Sequence, residues 1–93
     1  MPAKLIHRDK INIGTNEFVQ LVIWEVEPPV MASHHAYKYR LAYVVDEVCV
    51  IRYDNEAGKG DHKHIDNVEI KTTFTSVAKL VSDFWADIEK YKE

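Results

Sequence analysis

The densest concentration of reactive side chains lies in one polar stretch, Arg52-Tyr53-Asp54-Asn55-Glu56-Ala57-Gly58-Lys59-Gly60-Asp61-His62-Lys63-His64. His62 and His64 are two apart, so in extended backbone their rings project to the same face. An imidazole with its ordinary pKa of ~6.5 both takes and gives a proton near neutrality, so such a pair suits general acid–base work. The same rings with a carboxylate, Asp61 or Asp54, would suit a metal ion. That signal is weak, because the chain has a single cysteine, Cys49, no second spaced ligand pair and no fixed third ligand. No metal and no cofactor is assigned. Two polar surface histidines with no chemical role would look the same. Gly58 and Gly60 let the backbone approach a ligand and expose N–H groups. Gly58-Lys59-Gly60 lacks the spacing, the following Ser or Thr and the helix of a P-loop, which excludes triphosphate binding by that route.

Elements elsewhere in the chain must hold these groups. The 93 residues, 46% of them hydrophobic, make one core and one domain over 1–93. A formal net charge of −3 excludes a strongly basic nucleic-acid module but not a local cationic site. The lone cysteine fits a reducing interior, and no apolar run is long enough for a membrane span or a secretory signal, so the expectation is a soluble cytoplasmic protein. Strand patterns occupy residues 4–13, 18–26, 37–45, 48–53 and 68–74, with a short helix admissible at 30–36. The segment from Asp54 to about His64 reads as loop. Val77, Leu80, Val81, Phe84, Ile88 and Tyr91 recur at helical spacing behind Thr75-Ser76, an N-cap signal. The expected fold is α+β: an antiparallel sheet of about five strands with one C-terminal amphipathic helix packed on one face.

Register arithmetic then locates a patch. With Asp46-Glu47 as a two-residue turn, Val45 faces Val48, Tyr43 faces Val50 and Leu41 faces Arg52. On the other face Ala42 meets Ile51, Arg40 meets Tyr53 and Lys38 meets Asn55. Lys38, Arg40 and Tyr53 would then gather where the polar loop begins, an anion-binding arrangement or an ordinary solvated sheet face. His34 and His35, at the start of the same strand, would join His62 and His64 there. Trp24, Trp85 and Phe84 read as core, and Cys49 as a buried, inert thiol. The strand at 18–26 is apolar on both faces, so one helix leaves a face for a second protomer or another partner.

Two motifs together resemble the TumE-like family of toxin–antitoxin proteins. One is His35-Ala36-Tyr37-Lys38-Tyr39-Arg40-Leu41-Ala42-Tyr43-Val44; the other is the run from Arg52 to His64, of pattern RYDNxxGKGDHxH. Asp83-Phe84-Trp85-Ala86-Asp87 adds to them, and the likeness spans Val19 to Ile88. Glu47 departs from the family pattern, which favours glycine at the hairpin turn. The resemblance implies a small prokaryotic toxin, paired with a cognate antitoxin that carries a helix-turn-helix DNA-binding domain.

With the resemblance, the residues lead to an expected RNA substrate and a metal-independent endoribonuclease. His62 and His64 would be acid and base, with His35 able to replace one of them. Lys38, Arg40, Arg52 and Lys59 would hold phosphate, Tyr53 would orient a ring or stack on a base, and Asp61 and Asp54 would orient histidines. Asn55, Gly58 and Gly60 would line the substrate site. Two alternatives stand beside it: a non-catalytic toxin or regulatory domain acting through protein contacts, and a nuclease using a His/Asp metal site. No membrane contact is expected, and the uncovered sheet face would seat the antitoxin or a homodimer partner.

Overall fold

The structure, a computed structural model, describes residues 3–93. Six strands, β1 (Ala3–Gly14), β2 (Glu17–Val26), β3 (Tyr37–Val45), β4 (Val48–Asp54), β5 (His62–Ile65) and β6 (Val68–Lys71), precede one helix, α1 (Val77–Tyr91). The strands pair in chain order as one antiparallel meander. The α+β architecture is the expected one, with an additional strand. His62–Ile65, read as loop and turn from the sequence, pairs with β4 on one side and β6 on the other. Residues 30–36 form turns rather than a short helix.

Tight turns explain the meander. Thr15-Asn16, Asp46-Glu47 and Asp66-Asn67 each close a hairpin, with left-handed backbone at Asn16 (φ 57°), Asp46 (50°), Glu47 (68°) and Asp66 (55°). Asn and Asp tolerate that region, and such turns match the twist of the strands they join. Glu47 takes it without glycine's freedom, so the turn expected from the sequence forms despite the departure there.

Side-chain alternation sets the core. Val19, Leu21 and Ile23 of β2, Tyr39, Leu41 and Tyr43 of β3, and Ile51 and Tyr53 of β4 share one face, and Leu80, Phe84 and Ile88 of α1 cover it. Those three helical residues lie four apart, so they form one stripe. Ser76 starts the helix by accepting the Lys79 N–H on its Oγ at 3.1 Å. Phe84 is fully buried and meets the Tyr53 ring edge-on at 5.6 Å.

The hairpin register departs from expectation by one residue. Tyr43 pairs with Ile51 while Val44 pairs with Cys49, leaving Val50 unpaired as a bulge. A slip of one residue exchanges the faces of everything beyond it. Arg52 therefore lies opposite Ala42, Tyr53 opposite Leu41 and Asp54 opposite Arg40. Tyr53 leaves the expected cationic patch for the core, and Arg52 and Asp54 take its place. Two further residues differ. Trp24, expected in the core, is half-buried on the face away from the helix, with Arg8 above its ring at 5.9 Å. Cys49, expected to be buried, is exposed beside the bulge.

The core carries tyrosine hydroxyls bonded to carboxylates. Tyr43 Oη donates to Glu17 Oε1 at 2.6 Å; burial first, and then Glu17, push its pKa up to about 12 from 10.0. Burial and Asp61 raise Tyr39, and burial and Asp87 raise Tyr53. A raised phenol favours folding in its neutral form, so the stabilisation is complete below pH 10 and is lost as pH rises through about 12. The phenolate signals of Tyr39, Tyr43 and Tyr53 in an alkaline titration should rise only as the fold is lost, at pH above 10; Tyr43→Phe should remove the Glu17-linked part of the effect.

Candidate functional site on the open face of the sheet

The face away from α1 collects the polar chemistry. Because β4, β5 and β6 pair in register, two cross-strand rows run over it. One is Arg40, Asp54, His62 and Lys71; the other is Ala42, Arg52, His64 and Glu69. Each row is a line of nearest neighbours at roughly 5 Å spacing, set wholly by backbone pairing. Lys38 and Arg40 extend the face as exposed cations.

At its centre lies Asp54, with a side chain 10% exposed. Arg52 Nε stands 3.1 Å from its Oδ2, and His62 Nε2 stands 2.7 Å from its Oδ1. His62 is 1% exposed, and its Nδ1 lies 3.0 Å from the Gly60 carbonyl oxygen. A carbonyl oxygen only accepts, so Nδ1 carries the proton and donates, which turns Nε2 towards Asp54. Next to it the His64 ring is packed edge-on at 5.1 Å, with Nε2 3.5 Å from Glu69 Oε1. Lys59 Nζ approaches the same oxygen at 3.4 Å. Burial opposes ionisation of Glu69, but Lys59, and then the His62 and His64 rings, together hold its carboxyl below the usual range.

Four polar atoms in this cluster are buried without a hydrogen bond: Arg52 Nε, Asp54 Oδ1, His62 Nε2 and His64 Nε2. They are close to opposite charges, but the approach is off-axis. The same groups form two sets able to grip a metal: His62, His64 and Glu69, and Asp54, Glu56 and His62, each with its ligand atoms within 4.8 Å of one another.

Gly60 makes the arrangement feasible. Its φ is +74°, and a Cβ there would stand 3.2 Å from the Ala32 carbonyl oxygen. Gly58 is also left-handed, and its N–H donates to the Met31 carbonyl at 2.9 Å, tying the loop to the connection before β3. Asn55, expected to meet substrate, is fully buried. Its Oδ1 accepts the Tyr39 N–H at 3.0 Å, and its Nδ2 donates to the Tyr37 carbonyl at 2.7 Å and to Ser33 Oγ at 3.2 Å. Its amide holds the loop to β3.

The other expected residues lie on the helix side. His35 Nδ1 accepts the Tyr37 N–H at 3.2 Å, so its Nε2 donates to Asp61 Oδ1 at 2.9 Å. Tyr39 Oη donates to the same oxygen at 2.7 Å, and the His35 ring stacks on Phe74 at 3.9 Å. Asp61 orients His35, not His62 or His64, and His35 joins neither of those rings. His34 is exposed beside Lys59 and Gly60. Tyr53 Oη bonds Asp87, which also receives Lys63 Nζ at 2.9 Å. These groups border a groove of about 370 Å³ between α1 and β6. The structure thus puts Lys38, Arg40, Asp54, His62 and His64 on the open face with Lys59 at its margin, adds Arg52 there through the bulge, and leaves His35, Tyr53 and Asp61 elsewhere.

Glu69 escaped the sequence reading. The signal was the Asp66-Asn67 turn, which brings Glu69 opposite His64 once His62–Ile65 is read as a strand.

No described helix is long and apolar enough to cross a membrane. No curated protein and no solved structure matches this chain. A family model described as toxin TumE matches residues 2–92, nearly the whole length. The protein is therefore a member of the TumE family, the toxin of a toxin–antitoxin system.

Proposed function

We propose that this toxin cleaves RNA, with the open-face cluster as its reaction centre. The observation that carries the reading is the placement of a half-buried imidazole, His64, among buried polar atoms without hydrogen bonds, beside Arg40, Arg52 and Lys59. RNA brings its own nucleophile, the 2′-OH, so the protein needs only to remove one proton and offset charge on phosphate. We assign His64 to take that proton. As it does, the O2′–P bond forms and the P–O5′ bond breaks, leaving a 2′,3′-cyclic phosphate. The departing 5′-oxygen draws its proton from water. Arg52, opposite His64, and Arg40, in the neighbouring row, would hold the phosphate, and Lys38 would extend the cationic track.

The division of labour differs from two free imidazoles acting as acid and base. His62 is 1% exposed, with Nδ1 committed to Gly60, so it is a positioning residue that works through Asp54 and His64. The net charge of −3 means that RNA is held by this local field rather than by overall attraction.

Purified protein should cut RNA to products ending in cyclic phosphate, and a strand with 2′-deoxy sugars throughout should stay intact. His64→Ala should lower the cleavage rate by ~10²-fold or more, with little loss of stability. Wild-type protein that leaves RNA intact, or that cuts the deoxy strand equally well, contradicts the reading.

Gly60 gives a second test. Gly60→Ala places a side chain in left-handed backbone against Ala32. It should lower stability by about 1–2 kcal/mol in denaturant titration and reduce cleavage by misplacing the acceptor of His62 Nδ1. Gly58 meets nothing within 4 Å, so Gly58→Ala should cost only the backbone strain and leave cleavage nearly unchanged.

A further inference from the structure

We infer that Asp54, His62, His64 and Glu69 form a binding site for one divalent transition-metal ion of the zinc class. The starting point is His62. Its Nδ1–H is held by the Gly60 carbonyl at 3.0 Å, so the Nε2 lone pair points into the cluster. Metal-binding histidines are oriented in this way, the second ring nitrogen donating to a carbonyl or carboxylate. Facing that lone pair at 2.7 Å is Asp54 Oδ1, itself an acceptor without a hydrogen bond. Two buried acceptors at this distance repel unless a positive charge lies between them, and this pair must open to roughly 3.3–3.6 Å to hold an ion. A proton on Nε2 would lie along the ring's N–H axis, and Oδ1 is off that axis. A metal ion has no such directional limit on the carboxylate side.

The remaining ligands stand where such an ion needs them. His64 Nε2 is buried without a hydrogen bond and lies 3.5 Å from Glu69 Oε1. Ligand atoms around a tetrahedral ion with bonds of about 2.0–2.2 Å are roughly 3.3–3.6 Å apart, so this pair already has the required separation. The ligand atoms of His62, His64 and Glu69 all fall within 4.8 Å of one another, while Asp54 falls in a second set with Glu56 and His62, so His62 is the ligand the two sets share. Two imidazoles and two carboxylates suit zinc, manganese or iron better than calcium or magnesium. Two carboxylates also balance a divalent charge; Arg52 Nε at 3.1 Å steadies the outer oxygen of Asp54, and Lys59 Nζ at 3.4 Å meets Glu69 Oε1, the oxygen nearest His64, which an ion would compete for.

Backbone pairing supplies the preorganisation. Asp54 is opposite His62, and His64 is opposite Glu69, so three adjacent strands present all four ligands on one face without any loop closure. Occupied, the site would take up the lone pair of His64 that the RNA reading uses as base, so metal-loaded protein would cleave more slowly than metal-free protein. The inference deepens the RNA reading and rests on it for that effect, but its test contains no RNA.

The experiment is titration of Zn²⁺ alone into chelator-treated, full-length protein by calorimetry, with Co²⁺ as a spectroscopic stand-in. One ion should bind per chain, and Co²⁺ should give the visible absorption of a four-coordinate nitrogen–oxygen site. His64→Ala and Glu69→Gln alter half-buried and exposed positions outside the core, so both should fold. Each should weaken binding by at least about tenfold, while His34→Ala leaves it unchanged. No binding, or binding that neither substitution weakens, overturns the site. A failed titration leaves RNA cleavage standing, and metal-free protein that binds Zn²⁺ on titration but spares RNA removes the functional reading alone.

Discussion

Because side chains alternate along a strand, the unpaired Val50 decides which chemistry reaches which face of this sheet. With the bulge, Tyr53 turns inward to Phe84 and Asp87, and Arg52 and Asp54 turn outward to His64 and His62. Without it, Arg52 and Asp54 would face α1, where neither charge has a counterpart among the core residues. The bulge thus separates a face built for packing from a face built for ions. Everything proposed for this toxin uses the second face, and everything that holds it together uses the first.

Asp54 links the two functions of the open face. A carboxylate whose side chain is only 10% exposed is costly to bury alone, and Arg52 offsets that cost. Its neighbours in turn are ordered by backbone groups: Gly60 fixes the His62 tautomer, and Asn55 ties the loop to Tyr37 and Tyr39. The reactive groups therefore rest on strands and on a pinned loop rather than on mobile side chains, which is what a preorganised site requires. The aromatic residues outside this cluster also meet cations, with Lys10 above Phe18 at 4.5 Å and Arg8 above Trp24. This is how a strand with apolar residues on both faces stays covered without a second helix.

Much of this was legible in the sequence, and what was missed has a physical cause. The amphipathic helix, its Ser76 cap and the Asp46-Glu47 turn follow from period and turn chemistry, and the cationic rim follows from alternation along β3. The bulge left no mark, because Val48-Cys49-Val50-Ile51 is apolar at every position and so favours neither parity. That one slip moved Tyr53 to the core and Arg52 to the site. His62–Ile65 was hidden by the glycines before it, and Glu69 was hidden with it. His35 and Asp61 have the right types for chemistry, but they lie just before β3 and β5 and bond to each other beside Tyr39 and Phe74.

The most direct test of the central claim is an NMR titration of imidazole and arginine side-chain resonances with a short RNA that carries a 2′-deoxy sugar at the cleavage position. Binding at the open face should shift His64, Arg40 and Arg52 strongly while His35 and Lys63 stay in place. Shifts centred on His35, Tyr53 and Lys63 would put the RNA in the groove against α1 and contradict the account.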